Sequence, residues 1–412
     1  MVKHVRKFYQ ALNKIVFKKI TINFFSLILK SIFSLFLFRT ITENVSPTTY
    51  APYGAALVFI GLFTTIGSIG FGPTLIRTNN LTNSKINTYL SLSFILGMLL
   101  ASILYFFADK IENILGIEGS KLYFQLVSPI IVIKLVSMIY EAIAQRELKI
   151  QAITSIDFFS FFIFHFICQI IVLKLQVGLV WLVVCIIFEE VFRLIFYKKI
   201  STIKFYFILN ITEIKNELSF SGILTINRVI NYFNSQIDKM FVSSKLSPTD
   251  FSGYSRVFQL VNYPINIIGQ LFDKIFYPMI CRKLRTSKNQ FSLNTIGFVF
   301  IFGLLGTLFC YLIGGYVELY FFNGEWKEYM ELYYILIFLI PIKLIDRYSS
   351  VIINAYGKPI IRTYSQIFFI VSLIIGLYFN HSNLNYIAKI SIIAYGISAL
   401  TSILYLVFKH EK

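Results

Sequence analysis

Asn227, Arg228, Asn231, Asn234, Ser235 and Asp238 lie inside an apolar run that opens at Leu218. Asn227, Asn231, Asn234 and Asp238 are spaced by four, three and four; Arg228, Asn231, Ser235 and Asp238 by three, four and three. Both series place polar side chains along one face of a helix. In hydrocarbon a charge costs about 2.5 kcal/mol or more, so it faces water or meets a partner. Arg228 falls near the middle of the run, and a guanidinium does not escape by losing its proton. The asparagines alone would suit hydrogen bonding between helices, worth about 0.6 kcal/mol on average. The central arginine favours a hydrated cavity. Lys30, midway along the first apolar run, is its counterpart in order. Arginine and lysine together suit phosphate or pyrophosphate, one binding bidentately and the other as a point charge. The expected ligand-binding set is therefore Lys30, Arg228, Asn227, Asn231 and Asn234. Asp238, toward the outer end of its run, lies at a depth close to Arg256, and the two are expected to pair near a gate. No residue is read as catalytic.

The elements that must carry these residues follow from composition. Of 412 residues 57% are hydrophobic and 14% charged, and the mean hydropathy is +0.72. A soluble domain has about 25% charged residues, so the chain reads as an all-α, polytopic membrane protein. At about 20 apolar residues per crossing, about twelve spans are expected, near 22–41, 51–76, 87–108, 121–140, 152–173, 177–197, 218–242, 251–280, 291–314, 329–349, 361–380 and 385–408. The net charge of +18 does not indicate nucleic acid: the basic residues fall between apolar runs. Most collect on alternate loops and both termini, which places both termini in the cytoplasm. Cys168, Cys185, Cys281 and Cys310 are scattered, with no metal-ligand or disulfide spacing. Lys134 is a weaker cavity candidate, Asp157 lies near the inner face, and His165 reads as a packing histidine.

SPTTYAPYG (46–54) and SPTDFSGYS (247–255) match at an offset of 201 residues. Each precedes an apolar run at the corresponding place in its half and reads as an outer turn. Six spans, a basic connection over 198–217 and six more spans describe a duplicated bundle, with lobes at 1–200 and 201–412. A ligand site is expected at the interface of such repeats. The loops are short, no extramembrane catalytic domain is expected, and no phosphate-binding G-x-x-x-x-G-K-[ST] occurs.

Longer stretches carry a resemblance. VSPTTYAPYGAALVFIGLFTTIGSIGFGPTLIR and NSQIDKMFVSSKLSPTDFSGYSRVFQLVNYPINIIGQLFDKIFYP resemble the early region and the seventh and eighth helices of the polysaccharide-transporter (Wzx-type flippase) branch of the MOP, or MATE-like, exporter superfamily. AIAQRELKI and INAYGKPIIRT resemble its fourth-to-fifth and tenth-to-eleventh loops. The resemblance covers most of residues 20–370, with Asp238, Lys239, Gly253, Tyr254 and Pro278 at matched positions. It implies two six-helix lobes around a central, typically basic cavity, alternating access, and movement of undecaprenyl-pyrophosphate-linked oligosaccharide from the inner to the outer leaflet of the bacterial inner membrane. It also implies a coupling ion, H+ or Na+, with no other cofactor, and service to O-antigen, capsule or exopolysaccharide assembly beside a polymerase and glycosyltransferases. Twelve spans argue against the peptidoglycan-precursor branch, which usually has two more.

Two rival classes stay open. A membrane polysaccharide polymerase or ligase would be expected to show a large outer loop with Arg or His. A drug exporter would select cations with carboxylates, whereas Lys30 and Arg228 have the opposite sign.

Overall fold

Apolar runs of this length satisfy their backbone in lipid only as helices or closed barrels, and the computed structural model is helical at each expected span. It describes residues 25–78, 81–272, 280, 293–356, 358–379 and 383–410. Pro278 and Cys281 lie outside the described residues. The helices are α1 (Phe25–Asn44), α2 (Pro47–Gly67), α3 (Phe71–Arg77), α4 (Asn83–Phe106), α5 (Ala108–Leu115), α6 (Ser120–Arg146), α7 (Ile150–Leu175) and α8 (Val180–Ser201). There follow α9 (Ile211–Lys245), α10 (Pro248–Leu271), α11 (Leu293–Leu312), α12 (Gly314–Phe321), α13 (Met330–Leu336), α14 (Leu339–Ala355), α15 (Pro359–Phe379) and α16 (Leu384–His410). Among the described residues, 8 helices are long and apolar enough to cross a membrane. At the other four expected spans stand α8, α9, α10 and the α13–α14 pair, which carry more charged and polar side chains.

Two compact units divide the chain. The first takes residues up to Asn44, Ala55–Asp109 and Gly119–Arg228; the second takes Val45–Gly54, Lys110–Glu118 and Val229–Lys412. The chain passes into the second unit inside α9, between Arg228 and Val229. The reason is local. After α8 the chain turns through Thr202, at φ 56°, and runs extended along α4. There Tyr206, Ile208 and Asn210 donate their backbone N–H groups to Asn87 Oδ1 (2.8 Å), Ser91 Oγ (3.1 Å) and Thr88 Oγ1 (3.2 Å). Lys85–Glu217 at 2.8 Å and Thr74–Ser221 at 2.7 Å continue the attachment into α9.

In the first unit α6 packs against α3, α4 and α8. Gly97 permits the α4 approach, since a Cβ there would lie 2.9 Å from Val132 Cα; small residues let membrane helices come this close. Phe71, Leu75, Tyr89, Leu90, Tyr140 and Ile143 fill the core beneath. Helix α7 is π-helical from Phe161 to Cys168, and Phe33 of α1 lies against Phe158, Phe162 and Phe166. In the second unit α14 packs against α10, α11 and α16. Gly303 of α11 backs onto Pro341, whose Cα would be 2.5 Å from an added Cβ.

The repeated Ser-Pro-Thr segments turn out to be helix starts. Ser247 Oγ accepts from Asp250 N at 3.1 Å while Asp250 accepts from Ser247 N at 3.2 Å, a reciprocal cap with Pro248 in the first turn. Ser46 Oγ accepts from Thr49 N at 3.3 Å at the head of α2.

Candidate functional site

In the first unit the spacing of α8 builds a charged centre. Glu189, Glu190 and Arg193 are three or four residues apart and so share a face. Arg193 Nη2 lies 2.5 Å from Glu189 Oε1, and its Nη1 lies 2.9 Å from Glu190 Oε1. Its Nε donates to Ser160 Oγ at 3.0 Å and stands 3.7 Å from Asp157 Oδ1. Tyr197 donates to Asp157 at 2.5 Å. His165, carried by the π-helical stretch, places Nδ1 3.1 Å from Glu189 Oε2, and Lys134 reaches Glu190 at 3.7 Å. Glu189 and Glu190 are buried, while His165, Asp157 and Lys134 are each about a third exposed, at 31%, 35% and 37%. Burying such an array is costly unless each charge meets an opposite one, and here each does.

Lys30 belongs to this centre. Its ammonium lies 5.8 Å from the Phe161 ring centroid, and the charges around it are Asp157, Arg193, Glu189 and Glu141. The surroundings of Lys30 are therefore mixed in sign. Arg228 meets other partners: its Nη1 donates to Ser68 Oγ at 3.5 Å, a long bond to a neutral group. Lys30 and Arg228 share no contact. The side chain of Asn227 lies outside the described residues.

The rest of the polar stripe on α9 belongs to the second unit. Gln366 of α15 donates to Asn231 Oδ1. Tyr395 of α16 donates to the Asn234 carbonyl at 3.0 Å, and Asn234 Oδ1, buried, has no hydrogen-bond partner among the described residues. Asp238, fully buried, accepts from Tyr254 Oη at 2.8 Å and from Lys239 N at 2.9 Å. Tyr254 also meets Ser391 at 3.1 Å. Arg256, expected beside Asp238, donates to Gln259 at 3.3 Å, and its guanidinium lies 5.0 Å from the Tyr50 centroid. Asp238 is met by a phenol one helix away, and the guanidinium by an aromatic face, a favourable seat for a desolvated cation.

Two further groups in the second unit were not legible in the spacing. Lys343 of α14 lies 4.1 Å and 4.2 Å from the ring centroids of Phe258 and Tyr395 and donates to Asn262 at 3.0 Å. Arg362 clasps Asp346 bidentately at 2.5 and 2.6 Å, and Ser398 donates to the same carboxylate at 3.1 Å. The sequence puts Lys343, Arg347 and Arg362 in a cytoplasmic connection and leaves α8's two glutamates unread. Glu-Glu-x-x-Arg inside an apolar run was the available signal.

Helices with buried charged centres in each of two units describe a polytopic membrane protein, and the solved structures show which fold these helices take. The chain aligns to an inward-facing multidrug-resistance MATE transporter of the MOP superfamily with a TM-score of 0.68 and 14% identity, over 93% of this chain and 94% of that one. It aligns to the lipid II flippase MurJ, inward closed, with a TM-score of 0.67 and 16% identity, over 93% and 86%. Residues 45–330 match the family described as "Polysaccharide biosynthesis protein", and the chain belongs to that family. Among curated relatives it is 22% identical over 247 residues to an uncharacterized membrane protein in the cps region of Klebsiella pneumoniae, covering 58% of this chain and 50% of that one. It is 19% identical over 216 residues to the teichuronic acid biosynthesis protein TuaB of Bacillus subtilis strain 168, covering 52% and 44%. The matches thus span about half the length of these relatives.

Proposed function

We propose that this protein is a flippase that carries polyprenyl-pyrophosphate-linked oligosaccharide from the inner to the outer leaflet of a bacterial inner membrane, without chemical change to its cargo. Membership of a polysaccharide-biosynthesis family on a MOP-type transporter fold supports the reading. The observation that carries it is Arg228. It is a half-buried guanidinium within α9, and among the described residues its hydrogen bond is a long one, 3.5 Å, to the Ser68 hydroxyl. A cation held at a neutral hydroxyl is suited to an anionic group that must bind and then leave.

In this reading the head group crosses by alternating access through a hydrated path while the polyprenyl tail stays in lipid, which spares its hydroxyls the cost of bare hydrocarbon. Lys30, with Asn227, Asn231 and Asn234, completes the proposed ligand set. Asn231 and Asn234 act from positions already bonded to α15 and α16. The carboxylates and His165 of the first unit are the seat for a coupling ion, H+ or Na+. Surface-polysaccharide glycosyltransferases and a polymerase are the expected neighbours in the pathway, and both termini are cytoplasmic.

The test replaces Arg228 with Ala, and separately Lys30 with Ala, confirms membrane insertion, and measures surface glycan together with inner-leaflet lipid-linked oligosaccharide. Loss of glycan with accumulation of the lipid-linked precursor is expected. Wild-type glycan in both variants would sink the assignment of these cations. Normal flipping in depleted cells, with unpolymerised repeat units outside, would instead favour a polymerase.

A further inference from the structure

The extended segment after α8 has two faces, and neither serves the charged centres. Side chains alternate along an extended chain. At odd positions Phe205, Phe207 and Leu209 point away, at 41%, 59% and 46% exposure. Lys204 and Tyr206, together with Ile203 at the start of the segment, line a hollow of about 760 Å³, whose other walls include Asn83 at the start of α4, Arg146 and Glu147 at the end of α6, and Thr202. The hollow lies wholly within the first unit and has the size of a small-ligand site.

Three physical points say what fits there. First, an irregular chain cannot lie in the hydrocarbon with open N–H groups. This one has Tyr206, Ile208 and Asn210 bonded to Asn87, Ser91 and Thr88 of α4. It is thereby able to lie at the lipid boundary, where Phe and Tyr settle. Second, the hollow is cationic. Arg146 lines the wall and donates Nη1 to the carbonyls of Leu75 (2.8 Å), Ile76 (3.2 Å) and Thr78 (2.5 Å), neutral acceptors. Lys204 is exposed beside it, Lys198 and Lys199 follow in the last turn of α8, and Glu147 is offset by Lys149 at 2.5 Å. Third, the hollow borders the first turn of α4, where the Glu213 carboxylate already accepts from Thr82 (3.4 Å) and Ser84 (3.1 Å), so a bound anion is left to Lys204 and Arg146.

We propose that this hollow and its aromatic row form a site for an anionic phospholipid of the adjoining leaflet. The headgroup phosphate sits between Lys204 and Arg146, and the acyl chains lie along Phe205, Phe207 and Leu209. The positive-inside pattern makes that leaflet the cytoplasmic one. The site is separate from the proposed transport cations and does not depend on what is transported.

The experiment uses the full chain in nanodiscs of phosphatidylcholine, with and without 20 mol% phosphatidylglycerol (about one lipid in five, an anionic surface of ordinary density). Thermal unfolding and native mass spectrometry of retained lipid are both read. Phosphatidylglycerol is expected to raise the unfolding midpoint of the wild type and to be retained in preference to phosphatidylcholine. Lys204→Gln is expected to weaken that retention about five-fold, the value of one lysine near an anionic surface. Lys204→Arg should restore it, and Phe205→Ser/Phe207→Ser should weaken both lipids alike. Because Lys204 is exposed, its variants keep the fold, which gel filtration verifies. Equal retention of both lipids, undiminished phosphatidylglycerol on Lys204→Gln, or displacement of phosphatidylglycerol by equimolar inorganic phosphate or pyrophosphate would each overturn the proposal, the last by making the hollow a site for free phosphate.

Discussion

Tyr254 donates its hydroxyl to the fully buried carboxylate of Asp238 at 2.8 Å, from the helix on which Arg256 was expected to do so. A buried carboxylate that loses a donor carries the full cost of its desolvation, about 1–3 kcal/mol or more. Tyr254→Phe should lower stability by that amount. A double-mutant cycle separates the two partners. Asp238→Asn with Tyr254→Phe should show a coupling of about 1 kcal/mol or more, and Asp238→Asn with Arg256→Met should add within about 0.5 kcal/mol. Thermal unfolding in detergent measures both. A larger coupling to Arg256 would restore the gate pair.

Arg193 holds two buried glutamates at once. Removing one member of a buried ionic group costs about 3–5 kcal/mol, because the remaining charges stay uncompensated. Arg193→Met alone should therefore shift the unfolding midpoint sharply downward. Arg193→Met with Glu189→Gln and Glu190→Gln should recover most of the loss, since a neutral array of similar volume needs no counter-charge. Equal stability of the single and triple variants would show that the array is solvated rather than buried.

Gly253 faces the ring of Tyr329 so closely that an added Cβ would lie 2.3 Å from it. Gly253→Ala is expected to cost about 1–3 kcal/mol through overpacking. The same substitution in a Tyr329→Leu background should cost clearly less, because the ring edge is gone. Unfolding midpoints of the four proteins decide it, and an equal penalty in both backgrounds would place the clash elsewhere.

Thr202 adopts a left-handed backbone conformation, φ 56°, with a β-branched side chain. That geometry costs an L-residue about 1–2 kcal/mol relative to glycine. Thr202→Gly should leave stability unchanged or raise it by up to about 1 kcal/mol, since glycine's extra freedom when unfolded offsets part of the relief. Thr202→Val should lower it. Both are read as unfolding midpoints.

The helices were legible because hydropathy over some twenty residues is a local quantity, and each expected span meets a helix. The Ser-Pro-Thr repeat was legible as a boundary for the same reason. Partners were not. The spacing of Asn231, Asn234 and Asp238 defines a face of α9, but which helix covers that face depends on residues far away in sequence, Gln366 and Tyr395 among them. Charges were misplaced where an apolar run ended gradually. Arg193, Lys343 and Arg362 read as loop cations, yet helices α8, α14 and α15 carry them inward to Glu189, Asn262 and Asp346. Depth alone marks Lys30, and depth says nothing of the acidic residues that surround it.

The π-helical stretch from Phe161 to Cys168 also bears on how lengths diverge among kindred chains. A π-turn is an α-helix holding one residue too many, so it is where a single codon can be lost without breaking the helix. Losing one there would restore α geometry locally and leave the helix on either side in register, so Asp157 would keep Tyr197. His165, inside the stretch, would be the residue displaced from Glu189.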